Sequence, residues 1–142
     1  MSVESFLDTN LFIYQLEALD ERKAATADAI IRRGIETGDA CISYQVVQEC
    51  LNTVVRKAEI PLDALQARSY LETVLGPLWR VYPNAALYRR ALDLQARFRF
   101  SFYDSLIVAA ALQAGCSRLL TEDLQHGQQV DGVTIENPFK GG

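Results

Sequence analysis

Apolar residues along this chain follow two rhythms. Short β-prone runs alternate with longer stretches in which apolar positions recur every third or fourth residue. Ser5-Phe6-Leu7, Ala40-Cys41-Ile42, Trp79-Arg80-Val81-Tyr82, Arg118-Leu119-Leu120 and Val133-Thr134-Ile135 are expected to be strands. A short helical region is expected over 11–16. A longer helix over 20–37 places Ala24, Ala27, Ile30, Ile31 and Ile35 on one face, with Gly38 as its stop. Ser43 is expected to cap a helix carrying Val46, Val47, Cys50, Leu51, Val54 and Val55. The next helix, over 62–75, is opened by Pro61 and ended by Gly76-Pro77. Two more are expected, from Asn84 to about Phe98 and from Tyr103 to Ala114, the second with Gly115 at its C-terminal end.

Strands separated by helices predict an α/β fold with a mainly parallel sheet covered on both faces. No linker or repeat interrupts the pattern, so residues 1–142 are expected to form a single domain with a real core. Ligands of such sheets bind beyond the carboxyl ends of the strands. Asp8 ends the first strand, Asp123 follows the fourth, and Asp104 starts the helix before the fourth. Glu49 lies early in the helix after the second strand, at the rim of its apolar face. All four acids are therefore expected at one edge of the sheet.

Taken one by one, three of them have a plain structural explanation. Asp8 and Asp123 stand where Asp commonly caps a helix, and Ser101-x-x-Asp104 is a capping-box pattern. Capping accounts for one acid per helix; it does not account for four acids on one edge. Two unit charges 4 Å apart repel by about 4 kcal/mol at an effective dielectric of 20. A hard divalent cation removes that repulsion. Mg²⁺ takes carboxylate, water and phosphate oxygens and needs neither His nor Cys. Such a site lowers the pKa of a bound water and stabilises an in-line displacement at phosphorus.

Composition narrows the picture little. Net charge is −4, from 18 acids and 14 bases, so a nucleic-acid-binding face would have to be local. Cys41, Cys50 and Cys116 show no C-x-x-C spacing and are expected to be buried free thiols, Cys41 in a strand and the other two in helical runs. That usage fits a reducing cytoplasm, and a structural zinc site is disfavoured because His126 is the lone histidine. The N-terminal stretch MSVESFLDTN reads as neither a signal peptide nor a membrane span.

Phe6-Leu7-Asp8-Thr9-Asn10, Glu49, Tyr103-Asp104-Ser105 and Leu120-Thr121-Glu122-Asp123 resemble the four motif regions of the PIN domain. The segment Thr121-Glu122-Asp123-Leu124-Gln125-His126-Gly127 is similar to VapC-type toxins of toxin–antitoxin pairs in particular. The resemblance covers essentially the whole chain. It implies a three-layer α/β/α sandwich with about five strands, an endoribonuclease activity dependent on Mg²⁺ or Mn²⁺, and a product with a 5′-phosphate. It also implies an RNA substrate, a cognate antitoxin protein that places an Arg in the acidic site, and a homodimer. By position, Asp8, Glu49, Asp104 and Asp123 would be the catalytic and metal-binding acids, with Asn10 and Thr121 as supporting polar residues. Ser105 stands where many members have Ala.

Other residues are assigned more ordinary roles. Arg89, Arg90, Arg97 and Arg99 are expected to form surface ion pairs around Asp93 rather than an RNA-binding strip. His126 is expected to be a solvated surface residue. Trp79 is assigned to the core, and Tyr82, Tyr88, Phe98, Phe100, Phe102 and Tyr103 to the core or a dimer contact. Two competing functions remain. One is a PIN-like binding module without catalysis, which four intact acids argue against. The other is a phosphatase of the haloacid dehalogenase kind, which would need a second Asp where Asn10 stands.

Overall fold

Three residues of β1 (Ser5–Leu7) and four of β2 (Ala40–Ser43) are buried at every position. A strand that is apolar or buried on both faces requires a layer on each side of the sheet. The computed structural model, which describes residues 3–57, 59–60 and 62–140, provides them. The remaining strands are β3 (Trp79–Val81), β4 (Arg118–Leu120), β5 (Gln129–Val130) and β6 (Val133–Glu136). Their order in the sheet is β3-β2-β1-β4-β6-β5, and every pair is parallel except β5 with β6.

The helices are α1 (Thr9–Glu17), α2 (Glu21–Thr37), α3 (Tyr44–Arg56), α4 (Ala64–Tyr70), the single turn α5 (Gly76–Leu78), α6 (Ala85–Phe98) and α7 (Phe102–Gln113). α7 is enclosed, with Ser105 through Ala111 all buried, as its nearly uninterrupted apolar sequence demands. α2 approaches the sheet closely at Gly34, where an added Cβ would lie 2.6 Å from the Ala40 Cβ of β2. Asp20 caps α2 through the Arg22 and Lys23 amides, and Gly38 ends it in the left-handed region at φ 72°. Among the described residues no helix is long and apolar enough to cross a membrane.

Among the described residues the sheet has six strands rather than about five. The extra one, β5, exists through a two-residue hairpin with β6, and Asp131 and Gly132 at its tip have φ 49° and 97°. Asp-Gly between apolar residues suits a turn needing two positive φ angles. α1 is longer than the expected 11–16, because Asp8 caps it two residues earlier. Pro61 lies outside the described residues, and α4 starts instead from Asp63 in a reciprocal capping box with Gln66. Gly76-Pro77 does not end the helical path. Residues Leu71–Leu75 form a π-helical turn, and the Gly76 amide donates to the Leu71 carbonyl, so the path widens ahead of a proline that has no N–H.

Smaller expectations are also corrected. Ser43 occupies the position before α3, but its hydroxyl makes no capping hydrogen bond and is buried without a partner. Trp79 is half-buried at the margin of the core, packed against it while stacked on Tyr82 at 5.0 Å and donating from its indole to the Val81 carbonyl. Tyr82, Tyr88 and Tyr103 are exposed, whereas Phe98, Phe100 and Phe102 pack against the core. All three cysteines are free and buried, although Cys116 falls past the end of α7, where its Sγ lies 3.7 Å from that of Cys41. Arg97 forms the expected pair with Asp93 at 3.0 Å and adds a two-pronged one to Asp131. Arg89, Arg90 and Arg99 make no ion pair among the described residues, so the ladder reduces to Arg97.

The α2–β2 contact yields a test of packing. Ala normally stabilises a helix interior by about 1 kcal/mol over Gly. At residue 34 the clash with Ala40 outweighs that gain. Gly34→Ala is expected to lower stability in urea denaturation by about 1–3 kcal/mol, and Gly34→Ala with Ala40→Gly to recover most of the loss.

Candidate functional site

β1 leads directly into α1 through Asp8, whose extended backbone and side chain make it the helix cap. The Asp8 amide still donates to the Leu120 carbonyl at 3.0 Å, so the ladder between β1 and β4 runs one residue past the strands. This register brings Thr121, the residue after β4, beside Asp8. Asp8 is 5% exposed. Its Oδ1 accepts from the Thr9 amide at 2.7 Å, and its Oδ2 accepts from the Thr121 hydroxyl at 2.7 Å.

The Thr121 hydroxyl also accepts from the Asp123 amide at 3.0 Å, which bends the loop after β4 back over the edge. Asn10, the second residue of α1, donates from Nδ2 to Thr121 at 3.4 Å and to the Asp123 carboxylate at 3.3 Å. Its Oδ1 is buried without a partner. Glu49 is half-buried on α3 and turned toward α1: its Oε1 accepts from the Thr9 hydroxyl at 2.7 Å. Gln45, one turn earlier on α3, donates to Glu49 Oε2 at 3.4 Å and to the Tyr103 carbonyl at 3.1 Å. That second bond ties α3 to the first turn of α7, where Asp104 stands. Ser101 caps α7 by accepting from the Asp104 amide at 3.1 Å, and Ser105 donates to the Ser101 carbonyl at 2.8 Å.

The electrostatics follow from this geometry. Burial pushes the Asp8 carboxyl up from 3.8 to about 7. The bonds from Thr121 and Thr9 favour the charged form, but burial outweighs them, and the charges of Asp123 and Glu49 push the same way as burial. Burial also raises Asp104 above its ordinary value; the Ser101 contact opposes the shift and the charge of Asp123 adds to it. The charges thus act pairwise, Asp123 and Glu49 on Asp8 and Asp123 on Asp104. Among the described residues, however, no three acidic, His or Cys side chains are close enough to hold one ion as they stand.

The donor set nonetheless fits a hard cation. It is all oxygen, and its central carboxylate is buried with no cationic partner among the described residues. The amide oxygen of Asn10, whose nitrogen reaches Thr121 and Asp123, is buried with no hydrogen bond among the described residues. These are deficits that a divalent ion would fill. A cavity of about 330 Å³ opens along α1 next to this edge, lined by Thr9, Asn10, Ile13, Tyr14, Glu17, Lys57, Glu122 and Asp123. A separate one of the same volume lies between α2 and the sheet, and His126 stands there, exposed and accepting the Asn137 amide through Nδ1 at 3.0 Å.

The structure adds residues that the spacing of the acids did not single out. Thr9 and Gln45 hold Glu49. Glu122 accepts hydrogen bonds from Tyr14 and from Lys23, the latter at 2.5 Å. Burial raises the Glu122 carboxyl, but Lys23 and Tyr14 bring it below its ordinary value. Gln45 carried one legible signal, its position four residues before Glu49 on the same helical face.

No curated protein matches this sequence. Solved structures do resemble the fold. The DNA-bound VapBC of Salmonella typhimurium matches with a TM-score of 0.70 at 17% identity, covering 96% of this chain and 98% of that one. FitAcB of Neisseria gonorrhoeae matches with a TM-score of 0.60 at 24% identity, covering 96% and 99%. VapC20 of Mycobacterium tuberculosis, described as a toxin cleaving the sarcin–ricin loop, matches with a TM-score of 0.59 at 20% identity, covering 82% and 87%. The family model of the PIN domain matches residues 5–130, and by that match this chain belongs to the PIN domain family.

Proposed function

We propose that this protein is a divalent-metal-dependent endoribonuclease and the toxin half of a toxin–antitoxin pair. The observation that carries the reading is Asp8. It is a buried carboxyl without a cation, pressed by two further acids, at the edge of the sheet where this fold class binds ligands. Its setting in a PIN domain supports a nuclease, and the likeness to VapC20, described as a toxin cleaving the sarcin–ricin loop, supports RNA as substrate and the toxin role.

Asp8, Asp104 and Asp123 would hold the ion, Mg²⁺ or Mn²⁺, with Glu49 completing the set or taking a proton from the attacking water. When bound, the ion would offset charge on the phosphate and make a water more acidic. Asn10 and Thr121 orient carboxylates: Thr121 fixes Asp8 and the Asp123 amide, and Asn10 steadies Asp123. Thr9 and Gln45 keep Glu49 turned toward this edge. Water adds its oxygen to phosphorus, the bond from phosphorus to the 3′-oxygen breaks, and that oxygen takes up a proton. The products carry a 5′-phosphate and a 3′-hydroxyl. A cognate antitoxin would silence the protein by laying a cationic side chain, such as Arg, against the same acids. A homodimer belongs to the same reading, with exposed Val55, Leu65 and Leu92 offering apolar surface.

Asp8→Asn keeps the shape and the cap while removing the charge. In RNA cleavage at saturating Mg²⁺ it is expected to be at least about a hundredfold slower than wild type, with an unchanged circular dichroism spectrum. Cleavage at the wild-type rate would overturn the metal-site assignment. Expression of the wild-type chain alone is expected to arrest growth, and expression of Asp8→Asn is not. Loss of cleavage and of growth arrest from every preparation of the folded wild type would favour a binding module instead.

The raised Asp8 pKa also predicts a pH dependence of stability. Without divalent ions, the folded protein holds a proton on Asp8 between its ordinary 3.8 and about 7, while the unfolded chain has lost it. This contribution is full below the lower value, falls as pH rises through the window, and is gone above about 7. Asp8→Asn does not titrate. Its stability relative to wild type in EDTA is therefore expected to increase from pH 4 to pH 7.5 by about 2–4 kcal/mol. Adding Mg²⁺ at pH 7.5 to a hundred times its Kd is expected to return about 2.7 kcal/mol to wild type alone. Denaturant melts of both proteins at each pH measure the difference.

A further inference from the structure

Asp123 stands on the exposed loop after β4. Among the described residues, one side chain reaches its carboxylate, that of Asn10 at 3.3 Å. Its neighbour Glu122 is held much more firmly. Glu122 Oε1 accepts from the Tyr14 hydroxyl, and Oε2 accepts from Lys23 Nζ at 2.5 Å. Lys23 also donates to the Tyr14 oxygen at 3.2 Å, and its ammonium lies 4.7 Å from the Tyr14 ring centroid and 5.7 Å from that of Phe139. Phe139 packs edge-on against Tyr14 at 5.0 Å. One side chain on the loop is thus gripped from α1, from α2 and through the segment after β6.

Lys23 and Glu122 are 32% and 26% exposed, so their attraction is less screened than that of a fully solvated pair. Residues 122 and 123 share a peptide bond. Anchoring the Glu122 side chain outward to α1 and α2 fixes that peptide and sets the point from which the Asp123 carboxylate projects. The Thr121 hydroxyl holds the same peptide from the other side, through the Asp123 amide. The charge of Asp123 is felt at both Asp8 and Asp104, so its placement bears on both.

We propose that Glu122, clamped by Lys23 and Tyr14, is a positioning residue that holds Asp123 where the acidic edge can capture a divalent ion. The inference rests on the metal-dependent reading above. Loss of the clamp leaves every carboxylate of the site in the chain but lets the loop carrying one of them swing. The cost then falls on ion capture, and an edge saturated with ion regains its geometry.

The test measures Mn²⁺ binding by electron paramagnetic resonance alongside the Mg²⁺ dependence of RNA cleavage, using the full chain. Lys23→Met and Glu122→Gln are each expected to weaken Mn²⁺ binding about tenfold. Both are expected to raise the half-saturating Mg²⁺ concentration similarly, with the rate at saturating Mg²⁺ kept within about twofold of wild type. Lys23→Arg, which restores the charge, is expected to recover most of the affinity. Thermal melts establish that each variant is folded. Should Lys23→Met fail to fold, Tyr14→Phe keeps the ring, removes one donor and is expected to weaken Mn²⁺ binding about threefold. Wild-type Mn²⁺ affinity in folded Lys23→Met, or a slower saturated rate with unchanged metal demand, would overturn the proposal. The two readings fail differently. If wild type binds Mn²⁺, Asp8→Asn does not, and Lys23→Met binds as wild type does, the positioning role alone is lost. If wild type itself binds no Mn²⁺, the metal-dependent reading falls and the positioning role with it.

Discussion

A carboxylate buried at the end of an interior strand sets the terms for the whole edge of this molecule. Asp8 extends the pairing of β1 with β4 by one residue, starts α1 and receives the Thr121 hydroxyl, all at once. None of these tasks requires a negative charge in a dry place. The same chain caps α6 with Asn84 and α7 with Ser101, both neutral. It also caps α2 and α4 with Asp20 and Asp63, both exposed to water. Among the described residues, only at α1 does a capping carboxylate lie inside. Burying an ion that two hydrogen bonds do not fully compensate disfavours its charged form, as the raised pKa of Asp8 records. A residue that stabilised the fold alone would more economically be Asn.

Much of this architecture can be read from the chain because local preference and tertiary demand agree. The all-buried strands are short apolar runs. Asp20, Asn84, Ser101, Gly38 and Gly115 mark helix ends by mechanisms that act within a few residues. What escaped depends on partners or on register. β5 is a two-residue strand that exists only because Asp131-Gly132 folds it onto β6; the turn signal is present, but the strand is too short to show a period. The π turn at Leu71–Leu75 is a shift in hydrogen-bond register around Pro77 that side-chain spacing does not encode. Ser43 has the identity of a cap, yet its hydroxyl is buried without a partner, and nothing in the structure explains that.

The site divides in the same way. Its acids stand at strand ends and first helical turns, which sequence order places at one edge. Their supports are long-range. Thr9 meets Glu49 across 40 residues and Lys23 meets Glu122 across 99. No local rule pairs them, since the first contact comes from the packing of α1 against α3 and the second from the loop after β4 lying against α2. The direction of Glu49 is the informative case, because capping gives no reason for an acid at that position. It turns toward α1 because the Thr9 hydroxyl and the Gln45 amide both meet it there.

On the proposed reading, one imbalance of charge governs both activity and its control. RNA is a polyanion, and it would have to approach an edge carrying four acids on a protein of net charge −4. At physiological ionic strength the screening length is about 8 Å, so repulsion is felt mainly within the site itself. A phosphate cannot enter there until the acids are neutralised. A divalent ion does this and leaves coordination positions for phosphate and water. An arginine side chain does it and leaves none, because its guanidinium fills the same oxygens with hydrogen bonds. Substrate-bearing metal and inhibitory cation would therefore compete for a single deficit, the buried and uncompensated carboxylate at the end of β1. The loop carrying Asp123 matters to both, since it decides how much negative charge joins Asp8 and how readily either cation is held.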